Sequence, residues 1–245
     1  MNTMIDTTGS DSLTPSKIRN KAKRKPKNEI KFKIQLNDEQ KEAKSVILEN
    51  AITILTGKAG SGKTLLACQC ALDALFTRQV ERIVIVRSTV SKEDIGYLPG
   101  DLFEKMEPWL QPIIGNLELL YSKPKIEQLL KDGIISVVPI AFMRGRTFVD
   151  SFIIVDEAQN VTDEQLEMIL ARLGKQSTMV LCGDEAQNDF KRKSDSGFSE
   201  LVEMTKRVSN LDIYRLQKNH RHSVVEDILD EYARCRALKE INTKS

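Results

Sequence analysis

Several residue types are scarce in this chain of 245 residues, and each scarcity excludes a class of protein. Aromatic residues make up only 5% of the chain, so the core must rest on aliphatic side chains. The four cysteines lack the paired spacing of zinc sites, which favours free thiols in a reducing compartment. No run is long and apolar enough to span a membrane, and the N-terminus has no signal-peptide core. We therefore expect a soluble cytoplasmic protein with no membrane partner.

The formal net charge is also small, at +2, but its distribution is uneven. Ser16–Lys33 carries nine Lys or Arg residues and one Glu. We expect residues 1–33 to form a disordered basic N-terminal arm, followed by one folded domain over residues 34–245. Two interpretations of the arm stay open, a solvated tail or a segment that neutralises nucleic-acid phosphates.

Apolar runs of strand length alternate with helical patterns in the predicted domain. Continuous apolar strands are typical of burial on both faces, and their alternation with helices predicts a parallel sheet. Residues 96–132 look helical without a strand, which predicts a helical insertion. Thr162 is expected to cap the helix after the fourth strand, with Gly174 just beyond its end. The predicted strands are AITILTG, RIVIV, ISVVP, FIIVDE, TMVLCGD and DIYRL.

The strongest motif lies between the first strand and the next helix, where GKAGSGKT fits the phosphate-loop pattern G-x-x-x-x-G-K-[ST]. Glycines let such a loop turn its N–H groups toward a phosphate, and the helix N-terminus adds a positive dipole end. Lys63 is expected to reach the β- and γ-phosphates of ATP as a catalytic cation, and the Thr64 hydroxyl to bind Mg²⁺. The predicted fold is a single doubly wound α/β domain of the P-loop NTPase (RecA-like) class. The predicted ATP-binding residues are Gly57, Lys58, Ala59, Gly60, Ser61, Gly62, Lys63 and Thr64.

Two later strands end in polar residues that suit the same reaction. Asp156 follows the fourth strand and is the expected Mg²⁺ ligand, while Glu157 beside it is expected to orient or deprotonate the attacking water. The fifth strand ends in Gly183-Asp184, and Gln187 is a candidate catalytic residue that senses the γ-phosphate or the water. Carboxyl ends of parallel strands form the usual ligand edge of such sheets, so these residues are expected to face the phosphate loop.

The motifs together resemble a known family. DEAQ followed by GDxxQ is the pairing of superfamily 1 helicases, and the run from Ile52 to about Tyr232 resembles PhoH-like proteins. The segments that carry this likeness are TGKAGSGKTLLA, GYLPGDLFEKMEPWLQPI, PIAFMRGRTFVDSFIIVDEAQN, GDEAQNDF and NHRHSVVEDIL. The resemblance implies a helicase-related ATPase with a link to RNA metabolism or phosphate starvation. Bacterial members usually carry a further nucleic-acid-binding or nuclease module, and the short basic arm stands in its place, as in compact phage-like forms.

The same resemblance assigns roles to residues far from the phosphate loop. Asn37 and Gln40 in LNDEQ match the glutamine motif that reads adenine, with Gln40 as the base-binding residue. A solvated Gln40 at a helix start is an equally weighted interpretation. Arg221 in NHRH matches an arginine that helicase-like ATPases place near the nucleotide, although a structural salt bridge is the usual role of an arginine.

Partners follow from the arginines and from the size of the chain. Arg144 and Arg146 in MRGRT are alternative catalytic arginines, and Arg87-Ser88-Thr89 lies where helicases carry a strand-contacting loop. A helicase closes two domains on one ATP and this chain has room for one, so we expect a homo-oligomer, such as a hexamer, whose neighbour supplies an arginine.

The predicted function is an ATPase that acts on RNA or single-stranded DNA. Two alternatives stay open. One is a slow ATP-dependent switch or scaffold that acts on a protein partner. The other is a small-molecule kinase, which DEAQ and GDxxQ disfavour because these motifs suit water and γ-phosphate sensing.

Overall fold

The computed structural model describes residues 30–87, 102–190 and 196–242. Most of the predicted basic arm, together with Ser88 and Thr89, lies outside these ranges. The described strands are β1 (Ile52–Gly57), β2 (Arg82–Arg87), β3 (Ile135–Pro139), β4 (Ser151–Asp156), β5 (Thr178–Gly183) and β6 (Leu211–Leu216). The described helices are α1 (Asp38–Glu49), α2 (Lys63–Phe76), α3 (Leu102–Leu120), α4 (Lys123–Lys131), α5 (Asp163–Leu170), α6 (Phe198–Met204) and α7 (Ser223–Asn242).

The six strands form one sheet in the order β3-β2-β4-β5-β1-β6, and every neighbouring pair is parallel. All six predicted strands are present, and the predicted α/β class with a doubly wound parallel sheet is confirmed. Parallel neighbours place every carboxyl end at the same edge. The phosphate loop after β1, Asp156 at the end of β4 and Gly183 at the end of β5 therefore share that edge.

The strands are continuous in apolar residues because both faces of the sheet are covered. In β4, Phe152 and Ile154 belong to one hydrophobic cluster, while Ile153 and Val155 belong to the other. Successive strand residues point to opposite faces, so this alternation buries all four side chains. Helices α1 to α4 cover the first face, and α5 and α6 cover the second.

The helices of the predicted insertion form the crossover between β2 and β3 and line the core. Ile113 and Leu117 of α3 and Ile126 and Leu129 of α4 are buried in the cluster that also contains α2. The chain before α1 joins the same layer, because Phe32 lies edge-on to Tyr121 with ring centroids 6.3 Å apart. Within the described residues, no helix combines the length and apolarity that a membrane crossing needs.

The helix after β4 begins as predicted but ends earlier. The Thr162 hydroxyl accepts a hydrogen bond from the Gln165 amide, and the Gln165 side chain accepts one from the Thr162 amide, which completes a capping box. The prediction that Gly174 lies just past the helix was wrong, because α5 ends at Leu170. The Gly174 amide instead donates to the Phe148 carbonyl at 2.8 Å, and a Cβ there would collide with that carbonyl.

Candidate functional site

The phosphate loop connects the end of β1 to the start of α2, as the motif predicts. Its three glycines have positive φ angles of 147° at Gly57, 89° at Gly60 and 83° at Gly62. A Cβ at Gly57 would lie 2.5 Å from the carbonyl oxygen of Leu216 on the neighbouring strand. Only glycine therefore lets the loop leave β1 this close to β6. The loop closes on itself through a hydrogen bond from the Ser61 amide to the Lys58 carbonyl at 3.1 Å.

The Lys63 side chain folds back over this loop. Its Nζ donates to the Gly57 carbonyl at 2.6 Å and to the Lys58 carbonyl at 3.2 Å. Lys63 is also the first residue of α2, so its ammonium and the positive end of the helix dipole lie together. The combination favours a polyanionic group at the loop.

The phosphate loop and β4 meet at a single hydrogen bond. The Thr64 hydroxyl donates to Asp156 Oδ1 at 2.8 Å. The Asp156 side chain is buried, and this burial is the main cause that raises its carboxyl pKa above the usual range. The Thr64 hydrogen bond and the Arg87 charge oppose the shift, while the charge of Glu157 adds to it. A buried carboxylate is costly without a cation nearby.

The donors at this point suit Mg²⁺, which prefers oxygen ligands and keeps several waters. Thr64 contributes a hydroxyl oxygen and Asp156 a carboxylate oxygen, and both approach from the carboxyl edge of the sheet. Over residues 30–87, 102–190 and 196–242, no cluster of three or more His, Cys, Asp or Glu side chains suits a metal. Thr64 and Asp156 therefore fit the protein ligands of a Mg²⁺ ion.

Glu157 lies immediately after β4 in a backbone conformation that is rare for its type. Its φ of 54° is in the left-handed region, and a short 3₁₀ turn over Ala158–Asn160 follows. The turn brings the carboxylate against the side chain of Gln159, whose Nε2 donates to Glu157 Oε2 at 2.6 Å. Oε1 of the same amide accepts a hydrogen bond from the Asp184 amide at 3.1 Å. Gln159 thus links the turns after β4 and β5.

Gln187 ends a 3₁₀ turn that begins after Asp184. Asp184 caps this turn, because its Oδ1 accepts a hydrogen bond from the Ala186 amide at 3.1 Å. The Gln187 carbonyl lies 3.5 Å from Gln159 Nε2, while the Gln187 side chain is exposed. The backbone of the residue is therefore tied to the site, and the sensing role of its side chain stays a prediction.

Arg221 lies against the phosphate loop. The His220 amide donates to the Gly60 carbonyl at 3.0 Å. A Cβ on Gly60 would lie 2.7 Å from Arg221 Cγ, Arg221 Nε and Asn219 Oδ1. The Asn219 oxygen also accepts a hydrogen bond from the Arg221 amide at 3.0 Å. The segment 217–222 therefore rests on the loop and places the guanidinium group of Arg221 at its surface.

Helix α1 holds Gln40 beside Gly62 of the loop. Gln40 Oε1 accepts from the Asn37 amide at 3.1 Å in a capping box, and Gln40 Nε2 lies 3.4 Å from the Cβ position of Gly62. The neighbouring Glu39 carboxylate accepts hydrogen bonds from the backbone amides of Gln217 and Lys218. Gln40 is thus buried beside the loop rather than solvated, and its role in reading adenine stays a prediction.

Of the other predicted arginines, Arg87 lies beside Asp156, whereas Arg144 and Arg146 are exposed after β3. Arg144 and Arg146 follow β3 and are exposed, and the Arg146 guanidinium carbon lies 5.5 Å from the centre of the Phe148 ring. Arg87 ends β2 and is paired in register with Asp156. His222 Nδ1 accepts from the Val224 amide at 3.3 Å, a capping contact at the start of α7.

Two residues of the site lacked an assigned role at the sequence level. Gln159 belongs to the DEAQ motif, but nothing in the motif shows that its amide binds both Glu157 and the Asp184 amide. Glu39 precedes Gln40, and its contact with the segment after β6 spans 178 residues of sequence. Its place in the DEAQ motif could have pointed to Gln159, whereas no feature of the sequence pointed to the contact of Glu39.

Comparisons with known proteins agree on one family. A family model described as PhoH-like protein matches residues 33–233. A PhoH-like protein of Mycobacterium tuberculosis (strain ATCC 25618 / H37Rv) is 41% identical over 198 residues, which cover 80% of this chain and 56% of the relative. A PhoH-like protein of Bacillus subtilis (strain 168) is 37% identical over 196 residues, covering 79% and 61%. The chain therefore spans little more than half the length of these curated relatives.

Among solved structures, the large terminase from the thermophilic bacteriophage D6E superimposes with a TM-score of 0.48 at 11% identity. The superposition covers 74% of this chain and 46% of the terminase.

Proposed function

This chain belongs to the PhoH-like protein family, and we propose that it hydrolyses Mg·ATP in a cycle linked to RNA or single-stranded DNA. The observation that carries the proposal is the 2.8 Å hydrogen bond between Thr64 and Asp156. It joins the phosphate loop to the end of β4, where a P-loop NTPase binds its metal ion. Cytoplasm is the location we propose, since Mg·ATP is available there and the buried Cys68, Cys70 and Cys182 are free thiols.

Each residue of the site takes one role in hydrolysis. The backbone amides of the phosphate loop and Lys63 bind the β- and γ-phosphates. Mg²⁺, held by Thr64 and Asp156, would supply charge neutralisation when bound. Glu157 accepts a proton from the attacking water while the water oxygen bonds to the γ-phosphorus. The bond from phosphorus to the β–γ bridging oxygen breaks, and ADP leaves with the electron pair. Arg221 stabilises the charge that develops on the γ-phosphoryl group.

The nucleic-acid partner is supported by basic residues outside the nucleotide site. Arg144 and Arg146 are exposed after β3, and the sequence carries nine basic residues in Ser16–Lys33. Lys and Arg of this kind bind phosphates without reading sequence. The low aromatic content disfavours recognition by base stacking. We therefore propose a partner held mainly by its backbone.

Release of phosphate from Mg·ATP, with and without poly(U) or oligo(dT), tests this function. We expect turnover that rises with at least one polymer, and stimulation that falls steeply as salt increases. Turnover that ignores both polymers would contradict the nucleic-acid link and favour the switch. Phosphate that appears on an added small-molecule acceptor would favour the kinase.

Homo-oligomer formation is the second part of the proposal, and it is supported by the exposed apolar residues of α7. Asp230 of this helix forms an ion pair with Lys58 of the phosphate loop at 3.6 Å. Asp230 thus links α7 to the phosphate loop, and large apolar side chains of the helix are exposed. These side chains are Val224, Val225, Ile228, Leu229 and Tyr232.

The opposite edge of the sheet offers a complementary surface. β3 is the edge strand there, and Phe142 after it is 43% exposed beside Arg144 and Arg146. We propose that these apolar side chains of α7 pack on Phe142 at this corner of the next copy. Two different surfaces generate a ring or filament, and they bring a neighbour's arginine toward the phosphate loop beside α7.

Replacing Ile228 with Asp is expected to convert the oligomer to monomer and to lower ATP turnover, because a charge would face the apolar contact. Light scattering coupled to size-exclusion chromatography, with ATP present, gives the mass. Val208→Asp is the matched control, since Val208 is as exposed but lies before β6, away from α7. A wild-type protein that is monomeric with ATP and fully active would contradict the proposal.

A further inference from the structure

Gln159 is a buried amide that touches two turns of the site. Its side chain is buried, with the residue 2% exposed, and Nε2 donates to Glu157 Oε2 at 2.6 Å. Oε1 accepts from the Asp184 amide at 3.1 Å, and Nε2 also lies 3.5 Å from the Gln187 carbonyl. A single side chain therefore contacts the predicted water-activating carboxylate and both ends of the turn after β5.

These partners fix which way the amide points. A carboxylate only accepts hydrogen bonds and a backbone N–H only donates, so one orientation of the amide satisfies both. In that orientation the NH₂ group faces Glu157. The reversed orientation would set an oxygen against the carboxylate and an NH₂ group against the Asp184 N–H. A buried polar group left without a partner costs free energy, which disfavours the reversed state.

The backbone of Gln159 is anchored as well. The Ser196 hydroxyl donates to the Gln159 carbonyl at 2.7 Å, and Ser196 Oγ accepts from the Phe198 amide at 3.3 Å at the start of α6. Glu157, two residues earlier, has its left-handed φ of 54°. The Gln159 backbone is thus fixed by Ser196 at the start of α6, and its side-chain amide is fixed by the turn after β5.

We infer that Gln159 is a positioning residue that aims the Glu157 carboxylate and ties it to the Asp184–Gln187 turn. The inference rests on the proposed function, in which Glu157 accepts a proton from water. A general base acts only when its oxygen is held within hydrogen-bond reach of that proton. Removing the donor leaves the Glu157 side chain in place and able to bind other partners, but no longer aimed by the amide.

Replacing Gln159 with Leu is expected to lower kcat about 10- to 100-fold, the range for loss of a residue that orients a reactive group. Binding of a fluorescent ATP analogue should change less than threefold, because Gln159 contacts neither Thr64 nor Lys63 in the described hydrogen bonds. Gln159→Glu keeps an acceptor for the Asp184 amide but removes the donor to Glu157, so it should lose as much activity as the Leu variant. Retained activity in Gln159→Glu would show that only the tie to Asp184 matters, which contradicts the inference.

A double-mutant cycle with Glu157→Gln separates positioning from general stability. If Gln159 acts through Glu157, adding Gln159→Leu to Glu157→Gln should lower single-turnover hydrolysis less than twofold further. Losses that multiply would overturn the inference, since a structural role does not depend on Glu157.

Thermal unfolding identifies a misfolded Leu variant, in which case the same cycle is measured with Gln159→Glu. A wild-type protein without turnover would overturn the proposed function and this inference together, whereas an active wild type with an unaffected Leu variant overturns the inference alone.

Discussion

Replacing Lys63 with Ala should lower ATP turnover by about 100- to 1,000-fold, the cost of losing one preorganised donor to developing charge. The ammonium group lies over the loop on the carbonyls of Gly57 and Lys58, next to the N-terminus of α2. Its removal takes away a full positive charge where the proposal places the β- and γ-phosphates. We expect affinity for ATP to fall as well, because those phosphates are present in both the ground state and the transition state.

Phosphate release and titration with a fluorescent ATP analogue measure the two effects separately. Lys44→Ala is the matched control, because Lys44 is also half-buried but pairs with Asp73 at 2.6 Å on the outer helices. This variant should keep turnover within about twofold of wild type below its unfolding temperature, since Lys44 pairs with Asp73 and not with the phosphate loop. Equal losses in the two variants would indicate general destabilisation and contradict the assigned role of Lys63.

The phosphate loop and the sheet were predictable because their signals are local. A strand, eight loop residues and a helix are consecutive, so the motif and its context appear in one short stretch of sequence. Strands buried on both faces can also be recognised in the sequence as continuous apolar runs, as in β4. The end of α5 was mispredicted because the Gly174 amide donates its hydrogen bond to the Phe148 carbonyl and does not belong to the end of the helix.

The rest of the site depends on contacts between distant parts of the chain. Register between β1 and β6 pairs Gly57 with Leu216, and this pairing sets the segment 217–222 on the phosphate loop. No periodicity predicts which strands become neighbours, so the contact between Arg221 and Gly60 could be expected only by resemblance. The role of Gln159 likewise needs the Asp184 amide, 25 residues further on.

Helix α7 is a case in which the sequence predicts the element but not the surface that it contacts. Its pattern predicts a terminal helix, and the helix is present over Ser223–Asn242. The apolar residues of a helix usually face the core of its own domain. Here Asp230 pairs with Lys58 of the phosphate loop, and Ile228 is half exposed. A helical pattern therefore does not show which surface, of its own domain or of another molecule, the apolar residues contact.

Replacing Arg221 with Ala should lower kcat by about 1,000-fold or more, the range for removal of an arginine that stabilises phosphoryl-transfer charge. The side chain already lies on Gly60 of its own phosphate loop, and the contact from the His220 amide to the Gly60 carbonyl holds it there. ATP affinity should change much less than kcat, because the charge that Arg221 stabilises develops only in the transition state. Single-turnover hydrolysis and analogue binding give the two numbers.

Arg207→Ala is the matched control for this variant. Arg207 is exposed in the chain before β6, and its amide donates to the Met204 carbonyl at 3.0 Å. Its loss should leave kcat within about twofold, as expected for an exposed charged side chain. A comparable loss in both variants would show that Arg221→Ala acts through general destabilisation.

Mixing variants then decides whose active site Arg221 serves. Lys63→Ala subunits keep Arg221 but lose the loop lysine, while Arg221→Ala subunits keep the loop. Because the structure sets Arg221 on its own loop, a mixture of the two should show no more turnover than the separate variants. Recovered turnover in the mixture would mean that the arginine acts across an interface between copies, so Arg221 rather than Arg144 or Arg146 would be the residue that a neighbour supplies.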